Sequence, residues 1–288
     1  MIAVAGQRFT KITADGQFML TCGSDEVFSP ILQRCIKEFG CSNPTDTMQH
    51  WSGCAALATP TGSNYTQGPC LADARDGKTY QVRKFADGKC WMVTNLAYGG
   101  ADRRNDGKDG CLKISFNGTS TNTTNNSSNI FGPGTYGDCR YGYSEVTTPD
   151  THLYGYYYDW VAATQNPLAY NGSTYQPPQP VMGVCPQGWH LPSGGPSGEY
   201  QVLTTIAGVA ASFWLSHDGF MGVLAGTAYD SAISSQGTFV WMRTASICDR
   251  TEALKITDGW SCNINGNGAN PLGWLNKAAG GVIRCVQD

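Results

Sequence analysis

Charge is scarce in this chain. Lys, Arg, Asp and Glu make up 14% of its 288 residues and the formal net charge is −3, so no basic field exists to hold nucleic acid or an anionic membrane surface. A bilayer-spanning run is missing too: the most apolar stretch, 202–215, is broken by Thr204, Thr205 and Ser212 and is too short to cross. Met1-Ile-Ala-Val-Ala-Gly shows neither a basic leader nor an apolar region, so either an export signal or anchor has been trimmed or export takes another route. The twelve cysteines include no CxxC pair, which counts against a zinc ribbon, a thioredoxin-like motif and an iron–sulfur cluster. HExxH, GxxxxGK[ST], GxSxG and a GxGxxG after a strand are all absent. No enzyme is expected on these grounds, and the one catalytic option left open is a carboxylate pair of the glycosidase kind, whose members need not be close in sequence.

What is present is glycine (36), aromatics (11%) and cysteine, scattered along the whole chain with Asn, Ser and Thr. That mixture fits a turn-rich protein with substantial β structure. Twelve scattered cysteines are most simply disulfides, hence an oxidising compartment outside the cytoplasm.

Residues 1–46 read as a small separate piece with Cys22, Cys35 and Cys41. A hairpin is expected around Asp15-Gly16. A helix is expected over "SPILQRCIKEF", where Ile31, Leu32, Cys35, Ile36 and Phe39 fall at helical spacing. From Asp73, "DARDGKTYQVRKFADGKCWMVTNL" reads as strand, turn at Asp87-Gly88, and strand. Residues 99–151 read as loop, with a low-complexity polar tract at 117–129. One helix is expected around Tyr156, Trp160 and Val161. A second begins at Ser197-Gly-Glu199 and stops near Gly208, and short strands follow from Gly237.

"CPQGWHLPS" (185–193) sets a cysteine, a histidine and a hydroxyl between two prolines. Cys-His catalysis needs the thiolate within reach of an oriented imidazole. In an oxidised chain Cys185 is better read as half of a disulfide. "ADRRNDGKDG" resembles a calcium loop, but Arg104 and Lys113 occupy positions that need oxygen ligands. Asn263, Asn265 and Asn267 could offer oxygens to calcium, yet Asn-Gly runs are more often turns. Neither a cofactor nor a metal is expected.

In the tail, stereotyped segments "FVW", "ALKI" and "GVIRCV" alternate with miscellaneous ones. The latter carry Trp, Arg and Asn, the composition of binding surfaces. The expected contacts are Arg243, Ile247, Asp249, Arg250, Thr251, Trp260, Asn263, Asn265, Trp274 and Asn276, with a place in the core equally open for Trp260 and Trp274.

"DARDGKTYQVRKFADGKCWMVTNL", "YGYYYDWVAAT", "VCPQGWHLPSGGPSGEYQVL" and "GVIRCVQD" occur in an order and spacing that closely resembles the Fibrobacter succinogenes major paralogous (FISUMP) domain. The resemblance runs from about Met48 to Asp288. It implies an α+β, C-type-lectin-like domain over 47–288, with two helices, a mainly antiparallel sheet, long loops and paired termini, preceded by the 1–46 extension. It implies a Cys185–Cys285 disulfide, which makes the 185–193 motif framework with Trp189 and Leu191 in the core. Cys54–Cys90 is the next pair it suggests. Cys248–Cys262 and Cys111–Cys139 are further pairings, leaving Cys22, Cys35, Cys41 and Cys70 to pair among themselves. Some related members are rewritten near their C-terminus by diversity-generating retroelements, which implies a variable, ligand-binding region at about 242–276. The family's usual "WSST"-like run is replaced here by Trp241-Met242-Arg243-Thr244, and tyrosine is absent from 242–288. The implied function is a secreted or surface-displayed, adhesin-like protein that binds a protein or glycan on another cell. The alternative is a structural subunit of a surface fibre or pilus-like assembly. Formylglycine-generating enzymes resemble the same fold class but need a reactive cysteine pair near the C-terminus, for which Cys285 would have to be free.

Overall fold

A computed structural model describes the side chains of residues 41, 44–98, 154–166, 176–195, 197–207, 219–220, 225–228, 233, 240–247 and 279–288, and further strands by their backbone. The architecture is α+β, with mostly antiparallel strands and two short helices among the described residues.

Strands β1 (Phe9–Ile12) and β2 (Phe18–Leu20) form the hairpin expected around Asp15-Gly16. The expected helix after it does not form where the chain is described: β3 (Glu26–Ser29) pairs antiparallel with β4 (Arg34–Lys37). Within β4, Cys35 and Ile36 satisfy a strand as well as a helix, because a short apolar run fixes no period and pairing with Val27 and Phe28 decides it.

The central sheet has six strands. β5 (Asp46–Thr47) lies at one edge, followed by β6 (Tyr65–Ala72), β7 (Thr79–Phe85), β8 (Cys90–Met92), β18 (Val286–Gln287) and β12 (Trp189–His190). Only β5–β6 is parallel. The β7–β8 hairpin turns where expected, through Asp87-Gly88, with Gly88 at φ 78°, a conformation that suits glycine. Both faces of this sheet are covered. Tyr80, Val82, Cys90 and Met92 point into one apolar cluster with Trp189, Leu191 and Val161, and Trp91, Val93 and Val286 point into another with Tyr200, Leu203 and Phe220. Burial on both sides explains the near-continuous apolar run of "CWMV". β5 and β18 are not neighbours in this sheet, so the expected pairing of the domain's first and last strands does not occur between them.

Helix α1 (Trp160–Thr164) is wholly buried. Asp159 caps it by accepting from Ala162 N at 2.7 Å, and Gln165 ends it at φ 50°. Helix α2 (Glu199–Ala207) runs where the sequence indicates, presenting Tyr200 and Leu203 to the second cluster. The stretch expected to be all loop contains β9 (Leu112–Phe116) and β10 (Arg140–Ser144), paired in parallel, with β10 also pairing β11 (Tyr157–Tyr158). The polar tract between them masked a partner too distant in sequence to read locally. Strands β13 (Thr227–Tyr229) and β14 (Ala232–Ser234) form a hairpin.

Three disulfides join the described residues: Cys41–Cys70, Cys54–Cys90 and Cys185–Cys285. The last two are pairs the resemblance implied, and the first pairs two of the four cysteines left over. The expected Cys248–Cys262 and Cys111–Cys139 pairs lie outside the described side chains. The Cys41–Cys70 bridge ties the chain just ahead of β5 to β6. Disulfides of this number point to maturation in an oxidising compartment. Among the described residues no helix is long and apolar enough to cross a membrane.

Candidate functional site

The described residues of the region expected to carry ligand contacts form a three-stranded antiparallel sheet: β15 (Trp241–Ile247), β16 (Trp260–Asn265) and β17 (Asn270–Asn276). Its register sets Trp260 opposite Asn276, Cys262 opposite Trp274, and Asn263 between Arg243 and Gly273. Arg243, Ile247, Trp260, Asn263, Asn265, Trp274 and Asn276 are thus brought together on adjacent strands, from positions spread over 34 residues (243 to 276) of sequence. Asp249, Arg250 and Thr251 lie outside the described residues, as does Asn267. The sequence foretold no β16–β17 pairing, since Asn- and Gly-rich segments carry little strand propensity.

One expectation is corrected. Arg243 is 0% exposed and cannot be a surface contact. Its Nε donates to Tyr158 O at 3.2 Å and an Nη donates to Ala279 O. Burial disfavours its charge, and the carboxylate of Asp159 opposes that loss. Positions 242–245 are all buried, so β15 has core on both sides there, and alternation gives no outward face. Ile247, at the strand's end, is half-buried.

β15 is clamped from several directions. Arg243 N donates to Val282 O at 2.8 Å and Val282 N to Trp241 O at 3.0 Å. Trp160 Nε1 donates to Thr244 O at 3.0 Å, and Ala245 N to Pro192 O at 2.9 Å. Gln176 donates to Ala245 O at 2.9 Å and accepts from Ile247 N at 2.7 Å. The 279–286 segment behind it is buried throughout and leads into the Cys185–Cys285 bridge. A neighbouring cation, Arg284, donates to Asn95 Oδ1 at 2.8 Å and to Phe220 O. The core therefore holds the strand from several sides.

The 185–193 motif is framework, as the resemblance implied for Cys185, Trp189 and Leu191. Trp189 is fully buried, its Nε1 donating to Met48 O at 2.8 Å, and Leu191 is fully buried as well. Cys285 is bonded to Cys185 and offers no thiol for oxidase chemistry. His190, which sequence reasoning left without a role, has one. Its Nδ1 lies 2.6 Å from Asp288 Oδ1 and its Nε2 lies 2.9 Å from Glu199 Oε1. Lys89 Nζ donates to the same Glu199 oxygen at 2.6 Å. Ser193 N and Oγ donate to Glu199 Oε2, and Glu199 N donates back to Ser193 Oγ, a reciprocal cap at the start of α2. These groups line an open cleft of about 490 Å³ with Gln179 and Pro180. No local signal could have found the cluster, because Lys89 and Asp288 are about a hundred positions from His190 on either side.

The described residues contain no group of three or more His, Cys, Asp or Glu side chains placed to hold a metal ion. No family model matches the chain, and neither curated proteins nor solved structures give a significant match.

Proposed function

We propose that the chain is an exported, non-enzymatic ligand-binding protein of the C-type-lectin-like kind that its FISUMP-like motifs imply, and that the β15–β17 sheet with its connecting loops is the face that meets a protein or glycan on another cell. The observation that supports this reading is the contrast between β15 and the two strands paired beside it. Arg243 anchors it to the disulfide-closed core. Beside it stand two strands in which Trp, Asn, Ser and Gly, the adaptable and anchoring types of contact surfaces, hold eight of thirteen positions. A face mounted on a rigid strand loses little entropy on binding and tolerates exchange of its residues without unfolding. Rewriting of this region by a diversity-generating retroelement, within about 242–276 but sparing Arg243, belongs to the same proposal.

Binding to an immobilised glycan array and to a panel of intact bacterial cells tests it. The wild-type chain is expected to bind at least one of these probes. Trp260→Ala and Arg250→Ala are each expected to weaken that binding by about tenfold or more, with melting shifted by no more than about 2 °C. Melting that falls along with binding would make these residues scaffold. A chain that binds no probe but assembles with rising concentration in light scattering would favour the fibre-subunit reading instead.

A further inference from the structure

The charged cluster at the cleft joins elements that the chain brings from four places. His190 sits on β12, Glu199 opens α2, Lys89 immediately precedes β8, and Asp288 follows β18. Asp87, on the turn before Lys89, accepts from Trp91 Nε1 at 2.8 Å and Lys89 N at 3.0 Å and adds a further negative charge facing Glu199. Both ring nitrogens of His190 face carboxylate oxygens. Only the imidazolium can donate from both. A neutral ring has one N–H, so one of its two contacts then sets a lone pair against a carboxylate.

We propose that His190, Glu199 and Asp288 form a proton-dependent clasp, which holds the C-terminal strand β18 and the segment supporting β15 while the ring is charged and releases Asp288 when the ring loses its proton. Asp288 is the partner that leaves, because its side chain is 52% exposed, whereas that of Glu199 is 13% exposed and also held by Lys89 and Ser193. The open cleft gives solvent protons access to the ring. Two connections carry the change outward. Asp288 N donates to Gly188 O at 3.1 Å, beside the β12–β18 pairing. Past His190, Pro192 O accepts from Ala245 N, and Gly194 N donates to Ser246 Oγ at 3.0 Å, so the run after the histidine is stitched to β15.

The direction of the effect follows from the charges. Burial lowers the His190 pKa, but the hydrogen bond and charge of Glu199, then those of Asp288, outweigh it and raise the pKa above the usual 6.5. Burial raises the Glu199 carboxyl, and His190, Lys89 and the Ser193 N–H more than reverse this, holding it at about 2. A raised histidine stabilises the fold fully below its unfolded value and loses that contribution as pH rises through the folded value. A depressed carboxylate contributes above its unfolded value and loses the contribution as pH falls toward 2. The clasp is therefore complete between about pH 4.5 and 6.5, the two unperturbed values, and opens on the alkaline side.

The test is thermal unfolding of the full, disulfide-bonded chain from pH 6 to 9.5, together with NMR titration of the His190 ring. The wild-type melting temperature is expected to fall by roughly 2–4 °C as the ring deprotonates, for each pKa unit by which the ring is raised. His190→Gln should be flat over that window after correction for common drift, and Asp288→Asn should move the ring's titration to lower pH. A ring that titrates at or below the ordinary histidine value overturns the proposal, as do parallel wild-type and His190→Gln profiles. Should His190→Gln fail to fold, Asp288→Asn decides alone: an unmoved ring titration refutes the clasp. The test needs no ligand, so it fails or succeeds independently of the proposed binding function.

Discussion

Replacing Cys185 and Cys285 together with alanine is expected to cost about 4–5 kcal/mol and to lower the melting temperature by roughly 6–15 °C. The bridge closes a loop with a sequence separation of 100, the longest of the three described disulfides, and in the chain-entropy model long loops restrict the unfolded chain most. Both cysteines are also buried, at 1% and 0% exposure, so truncation removes sulfur atoms from the core as well. Cys54→Ala with Cys90→Ala, which opens a separation of 36, is expected to cost somewhat less. Urea unfolding of the two double variants measures the difference. A loss below about 1 kcal/mol for the first pair would mean that the unfolded chain is already held compact by other contacts, and that this bridge does not close the domain.

Arg243→Met is expected to destabilise the protein by about 3–5 kcal/mol, the usual cost of removing one partner from a buried charged network. The carbonyls of Tyr158 and Ala279 would lose their guanidinium donors, and the Asp159 carboxylate would lose its opposing charge. Methionine fills much of the volume, so the loss reports on polar contacts rather than on a cavity. Unfolding in denaturant checks it. The composition of the tail made Arg243 look like a contact residue, and that reading makes the opposite forecast of unchanged melting and weakened binding. An unchanged melting temperature would return Arg243 to the surface.

That reversal shows what the sequence could and could not carry. The core places of Trp189 and Leu191 come from the family resemblance; local chemistry gives the rest, Asp87-Gly88 turning the β7–β8 hairpin and Glu199 opening α2. These features depend on neighbours within a few positions. Arg243 failed because arginine's usual surface habit outweighed the apolar residues around it, while its actual partners, Tyr158 and Ala279, lie 85 and 36 positions away. The parallel pairing of β9 with β10 and the His190 cluster escaped for the same reason. The helix expected over 29–39 fails differently at Arg34–Lys37: the short apolar run there fits two periods, and an antiparallel partner settles the choice. The β16–β17 pairing shows the limit of propensity, since backbone register joined segments whose side-chain types favour turns.

The central claim is that a fixed core presents an exchangeable face, and sequencing the 3′ end of this gene from many sibling genomes of one population tests it most directly. The account predicts substitutions concentrated in codons within 242–276, at positions such as Trp260, Asn263, Trp274 and Asn276. Within the same stretch Arg243 should stay fixed, as should Cys185, Trp189, Arg284 and Cys285 outside it. Substitutions at Arg243 as frequent as at Trp260, or a tail no more varied than residues 73–96, would contradict the division between core and face.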